Sequence, residues 1–260
     1  MNHHYDISIL VPGIRTGNWD GIYQQVRDGG CKRFTFEFVF CGPYPLSPFL
    51  QAQTNVKYIK DYGTPTRALQ MASLLAEGKF LTWISDDGYV YPDSIDKAMD
   101  ILLSMNPEKD IIGMRYCEGP GHSGNEHTHP IDYANVTYHA DLQAPCVNRS
   151  WLAPGIMLIA NAYYRFLGGL DCRFEHTNMN LYDMAYRAQM NGSKVVMTPF
   201  LYLNCDFQHG RTPENSEVIA AFFQNDRQLY WDIWSRTDRA IQIDLEGWRD
   251  ADVIWKRKKY

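Results

Sequence analysis

The six cysteines, at 31, 41, 117, 146, 172 and 205, include no Cys-x-x-Cys pair, which argues against a zinc ribbon or a dithiol redox motif. Basic clusters are scarce too. Lys256, Arg257, Lys258 and Lys259 make the only one, in a chain whose 25 Lys+Arg against 30 Asp+Glu give a net charge of −5. Binding nucleic acid without regard to its sequence requires clustered cations that displace counterions, so that class is excluded. No apolar run reaches the roughly 18 residues that span a bilayer. Met1 to Asp6 lacks the charged and then apolar pattern of an export signal. The expectation is therefore a cytoplasmic protein with no transmembrane segment. Internal repeats and Gly-, Ser- or Pro-rich linkers are likewise missing. Apolar residues, at 45%, and aromatic ones, at 14%, are plentiful enough to build a sizeable core.

The order of elements carries the fold. Ile7 to Val11 reads as a buried strand ended by Pro12-Gly13. Asn18 is placed to cap a helix with Trp19, Ile22, Tyr23 and Val26 on its apolar face. Strands follow at Phe34 to Cys41 and Val56 to Ile59. Thr64-Pro65 then opens a helix with Ala68, Leu69, Ala72 and Leu75 on one side. A strand from Phe80 to Ile84 runs into Ser85-Asp86-Asp87-Gly88, and Pro92-Asp93 starts the next helix. This alternation predicts parallel strands with right-handed crossovers, hence an α/β sheet whose ligands lie beyond the carboxyl ends of its strands. Pro12 to Arg15, Gly42-Pro43 and Ser85 to Asp87 occupy those ends. The second half is less regular, with residues 117–150 rich in Gly, His, Pro and Asn. It offers a strand at Gly155 to Ala160, a helix at Leu181 to Asn191, a strand at Lys194 to Met197 and a helix from Glu214 towards Trp234.

Two adjacent carboxylates at the end of an apolar strand repel unless something offsets them. Asp86 and Asp87 are hard oxygen ligands that suit Mg²⁺ or Mn²⁺, ions that usually complete their shell with substrate phosphates. The plainer reading of Ser85 to Gly88 is a polar turn.

Five further features are shared, in order, with one known family. They are Ser8 to Pro12; Thr66 to Gln70 with Ala76 to Leu81; Ser85 to Asp87 with Pro92; Gly155 to Ile159 with Leu167 to Asp171; and Asp183 to Arg187 with Gly192. Over residues 6–210 they resemble the inverting family 2 glycosyltransferases of the GT-A fold. The resemblance implies a GT-A, Rossmann-like α/β domain with a mostly parallel central sheet over residues 1–213. Residues 214–260 would form a helical extension packed on it. It implies transfer of a sugar from a UDP- or GDP-type donor to a hydroxyl on a glycan, lipid-linked or small-molecule acceptor, with Mg²⁺ or Mn²⁺. Asp87 and His209 would hold the metal. Asp86 would lie at the ribose or in the metal shell, and Pro12, Gly13, Arg15, Gly42 and Arg67 would line the nucleotide. The departures are informative. Ser85 replaces the first aspartate of the D-x-D motif, Cys41-Gly42-Pro43 replaces the base-reading aspartate, and Asn180-Leu181 replaces the Glu-Asp pair that carries the general base. Asp183 is the nearest carboxylate for that role, with Glu175 as substitute; the alternative for Asp183 is an i,i+4 ion pair with Arg187.

Two other readings compete. A transferase that has lost its base would bind a nucleotide sugar or glycan without turnover. A metal-dependent hydrolase would use His122, His127 and His129, near Glu118 and Glu126, although a solvated loop explains them as well. The helical tail, with Phe222, Phe223, Trp231 and Trp234, would cover the acceptor side or mediate self-association into a homo-oligomer.

Overall fold

Ile7, Ile9, Leu10 and Val11 are all shut off from solvent, so β1 (Tyr5–Pro12) is covered on both faces, as a largely apolar run broken only by Ser8 requires. A computed structural model describes residues 4–118, 131–133, 146–148, 150–205 and 220–235. In it β1 pairs in parallel with β2 (Phe36–Gly42) on one side and with β4 (Gly78–Trp83) on the other, while β3 (Val56–Lys60) lies beyond β2. With β6 (Ile111–Gly113), β9 (Met157–Ala160) and β10 (Val195–Met197) these form a seven-stranded sheet of order β10-β6-β9-β4-β1-β2-β3.

The helices form where the apolar spacing places them. Trp19 and Tyr23 of α1 (Trp19–Gln25) lie on Phe40 and Phe38 of β2, with ring centroids 4.9 Å and 5.4 Å apart. A short α2 (Pro48–Gln51) is capped by Ser47. In α3 (Pro65–Leu75) the Thr64 hydroxyl accepts the Arg67 N–H and Pro65 opens the first turn, while Ala68, Leu69 and Ala72 are buried and Leu75, expected on the same side, is exposed at the helix end. The helix α4 (Ser94–Leu103) buries Ile95, Ala98, Met99 and Leu102.

Three features depart from the sequence expectation. β9 runs antiparallel to both its neighbours, β4 and β6. The chain leaves β6 through β7 (Tyr116–Glu118) and β8 (Ile131–Tyr133) instead of a single crossover helix, so nothing obliges it to return in the same sense. A second sheet, β5-β11-β7-β8, adds β5 (Gly88–Val90) and β11 (Leu203–Cys205); its three-residue strands are too short to show a period. Finally α5 (Asn161–Phe166) follows β9, and α6 (Thr177–Met190) starts four residues before the expected Leu181. Beyond it, α7 (Arg227–Trp234) packs against α6 and builds a small second core from Phe174, Met179, Tyr186, Tyr230, Ile233 and Trp234.

Candidate active site

From β1 the chain proceeds outward to β2 and β3, whereas from β4 it proceeds to the opposite half of the sheet. The connections part between β1 and β4, which is where such sheets open a crevice beyond their carboxyl ends. Pro12 to Arg15 leaves β1 there, and Ser85 to Asp87 leaves β4.

These two segments are bound to each other. The Asp86 Oδ2 accepts the backbone N–H of Ile14 at 2.7 Å and of Arg15 at 2.8 Å. Its Oδ1 accepts Arg15 Nε at 2.8 Å and also Arg15 Nη2. The Asn18 amide donates to the Asp86 carbonyl at 3.0 Å. Asn18 makes no side-chain capping bond, so the cap expected from the sequence becomes a tie to the Asp86 turn. The approach is close enough to need glycine. A Cβ on Gly13 would fall 2.3 Å from Asp86, and one on Gly42 would fall 2.0 Å from the Gly13 carbonyl oxygen. Ser85 donates its hydroxyl to Asp87 Oδ1, and Gly88 N–H closes the turn on the Ser85 carbonyl at 2.8 Å.

Arg15 lies between the two carboxylates. Its Nη1 makes no hydrogen bond and stands 3.5 Å from Asp87 Oδ2. Burial works against the guanidinium charge, but attraction and hydrogen bonding to Asp86, with Asp87 behind, more than offset it and raise its pKa. Burial pushes the Asp87 carboxyl up, against the pull of Arg15 and Ser85.

This arrangement does not fit a divalent ion bridging the two aspartates. A carboxylate offers about four lone-pair positions, and N–H donors occupy that many on Asp86. An ion beside Asp87 would also meet the guanidinium. Two unit charges 4 Å apart repel by about 4 kcal/mol at an effective dielectric of 20, and a dication doubles that. Among the described residues no three His, Cys, Asp or Glu side chains are grouped to hold a metal. Asp86 is thus an anchor for the β1 loop, where the sequence suggested a ribose or metal contact.

One strand further along the same edge, Arg67 forks onto Asp61. Its Nε is 3.0 Å from each carboxylate oxygen and its Nη2 is 2.8 Å from Oδ1. Asp61 N–H and the Tyr58 hydroxyl donate to the Gly42 carbonyl at 3.1 Å and 2.9 Å, which joins this pair to the first cluster. Arg67, expected to line the nucleotide, is here paired with a carboxylate of the chain itself. Sequence reading passed over Asp61, although it follows a strand and precedes Gly63-Thr64-Pro65, the position that singled out Asp86.

Asp183 is 1% exposed and both its oxygens are engaged, Oδ2 by Arg187 Nε at 2.7 Å and Oδ1 by Trp234 Nε1 at 3.1 Å. Arg187 in turn donates to the carbonyls of Leu167 and Gly169, the latter at 2.8 Å. The i,i+4 ion pair with Arg187 is the role the structure shows, and the pair is buried. A general base must be open to an acceptor hydroxyl, and this carboxylate is closed off. The Gly168-Gly169 turn, with both φ values positive, is held from its other side by Gln70, whose carbonyl oxygen accepts Leu170 N–H at 2.9 Å and Tyr164 O–H at 2.7 Å. Asn180, at the position of the missing acid, exchanges hydrogen bonds with the backbone of Asp171.

Glu175 is buried just before α6, and its N–H donates to Asp226 at 3.0 Å; His176 N–H donates to the same carboxylate at 2.6 Å. The structure therefore gathers Pro12, Gly13, Arg15, Gly42, Asp86 and Asp87 at one edge, with Arg67 beside them. Asp183 and Glu175 belong to the α6 region instead, the first bonded to Arg187 and Trp234 and the second, through its N–H, to Asp226. His209, His122, His127 and His129 lie outside the described residues. Of the aromatics, Tyr89 and Tyr91 touch edge to face at 5.6 Å, and Trp151 packs on Tyr186 and Trp234.

No protein-family model matches the chain. No curated protein matches it either. Among solved structures it is similar to residues 1–349 of Staphylococcus aureus TarS, at 13% identity and a TM-score of 0.52, covering 87% of this chain and 69% of that one. The same protein in complex with UDP gives 14% identity, a TM-score of 0.53 and the same coverage. Against a longer TarS structure the identity is 15% and the TM-score 0.50, with 85% of this chain and 40% of that chain covered. No helix among the described residues is long and apolar enough to cross a membrane. At these identities the likeness is one of architecture, and the seven-stranded, mostly parallel sheet flanked by helices is the α/β fold that the sequence led one to expect.

Proposed function

We infer that this chain transfers a sugar from a nucleoside-diphosphate donor, of UDP or GDP type, to a hydroxyl acceptor, in the manner of the inverting family 2 glycosyltransferases. The observation that carries this reading is the joining of the β1 and β4 loops at the switch point by Gly13, Arg15, Gly42 and Asp86, in a fold whose solved neighbour holds UDP. Asp86 fixes the loop backbone, and Arg15, with 22% of its side chain exposed, is the cation at the crevice when a diphosphate leaves. With Asp183 committed to Arg187, this reading gives the acceptor proton to Glu175, the substitute carboxylate, which is itself buried and would have to open to the acceptor hydroxyl. A melting-temperature screen of UDP, GDP and other nucleoside diphosphates tests the reading: one base should raise the melting temperature in a concentration-dependent way. No rise with any of them sinks it.

A second reading, a binding module without turnover, draws on one observation: Leu181 stands where the base is expected and the nearest carboxylate is sealed. It requires nucleotide binding with no hydrolysis of any nucleotide sugar. Donor hydrolysis that Glu175→Gln abolishes would exclude it.

A further inference from the structure

The two loops at the switch point are held together by a charge that belongs to the chain. Arg15 places three nitrogens against two carboxylates: Nε and Nη2 on Asp86, and Nη1 facing Asp87 at 3.5 Å. The Asp86 side chain is 4% exposed and that of Asp87 is 7% exposed, so water screens neither well. Two buried acids side by side need a cation. Guanidinium meets the need with a planar fork matched to a carboxylate, which a spherical ion cannot copy without stripping donors from Asp86.

We propose that Arg15 is the resident cation of this crevice, occupying the position between Asp86 and Asp87 that a divalent ion would require, so that nucleoside diphosphates bind here without metal. The metal-free binding rests on the donor reading above; the occupancy by Arg15 does not. Asp86 and Asp87 then serve as the seat of the arginine, and Arg15 positions the β1 loop as well as supplying its charge.

The experiment has two arms on the full chain. In the first, bound Mn²⁺ is counted by electron paramagnetic resonance. Asp87→Asn should leave the wild-type count unchanged, because no ion uses that carboxylate. Arg15→Ala should add about one ion per chain, since it vacates Asp86 Oδ1 and Asp87 Oδ2 together, and adding Asp87→Asn to it should remove that ion. Arg15→Gln, which keeps a donor for Asp86 but no charge, should also gain the ion if the alanine variant fails to fold. An ion in the wild type that Asp87→Asn removes, or no gain in a folded Arg15 variant, overturns the proposal. The second arm compares the melting-temperature rise with UDP in EDTA and in Mn²⁺. Equal rises support the proposal, while a rise only with Mn²⁺ overturns it and leaves the donor reading standing. No rise in either condition counts against the donor reading, and the Mn²⁺ count still decides the place of Arg15.

Discussion

Gly13 shows how little room the switch point allows. Its missing side chain is what lets Ile14 and Arg15 bring their N–H groups onto Asp86. Gly13→Ala is expected to push the loop off that carboxylate at a cost of about 1–3 kcal/mol, the usual penalty of overpacking. Urea denaturation should show the loss, and the nucleotide-dependent rise in melting temperature should vanish with it. Asp183 offers a sharper contrast. Asp183→Asn leaves the Arg187 charge buried without its partner, which costs about 3–5 kcal/mol. Trp234→Phe removes the Nε1 donor to the same carboxylate and part of the ring's volume but leaves the charge pair, and should cost about 1–3 kcal/mol. Denaturation midpoints of the two variants test this directly. If Asp183→Asn is as stable as wild type but inactive, the carboxylate is a base after all.

The start of α6 and the segment before α7 share a pair of opposed titrations. Asp226, with no exposed surface, is pushed up to about 6 chiefly by burial and slightly further by Glu175, although the N–H groups of Glu175 and His176 and the Asn225 amide pull it down. Burial pushes the His176 imidazole down to about 4. A raised carboxyl contributes stability that is complete below its ordinary value of 3.8 and lost as pH rises through 6. A depressed imidazole contributes stability that is complete above its ordinary 6.5 and lost as pH falls through 4. Across this interval the two slopes oppose each other, and each shift of roughly two units corresponds to about 3 kcal/mol. Removing one exposes the other. Asp226→Asn should lose stability on acidification from pH 6.5 to pH 4.5, while His176→Gln should gain it. Denaturant midpoints at the two pH values are the readout, and parallel behaviour of both variants with wild type would refute the pairing.

The described residues build two cores of unequal size. The larger surrounds the main sheet, while the smaller joins α6 to α7 through Phe174, Tyr186, Tyr230 and Trp234. Cys146 N–H donates to the Trp234 carbonyl at 3.0 Å and Asn225 donates to the Arg173 carbonyl at 3.2 Å, so the tie is polar as well as apolar. Trp234→Ala empties the centre of the smaller core and should cost about 3–5 kcal/mol. The main sheet has a larger core of its own, so limited proteolysis should cut the variant first within residues 220–235 and spare β1 to β4. Simultaneous cleavage of both would mean that the two cores unfold as one unit.

Much of the sheet's first half was legible by itself. Apolar runs at β1, β2 and β4, the Thr64-Pro65 cap and the face of α4 are local signals, since burial and capping act within a few residues. The strand-end rule likewise picked out Gly13, Arg15, Gly42, Asp86 and Asp87 before any contact was known. What each charge does was not local. Arg15 and Asp86 are 71 residues apart in sequence and meet because β1 and β4 are neighbours in the sheet. Asp61 meets Arg67 across a turn, Trp234 meets Asp183 across 51 residues, and β9 enters reversed after an excursion through another sheet. Sequence alone determined where carboxylates and arginines would gather. Only the tertiary structure decided which of them neutralise one another, because a charge takes its partner from whichever strand or helix packs beside it, and periodicity along the chain does not encode that.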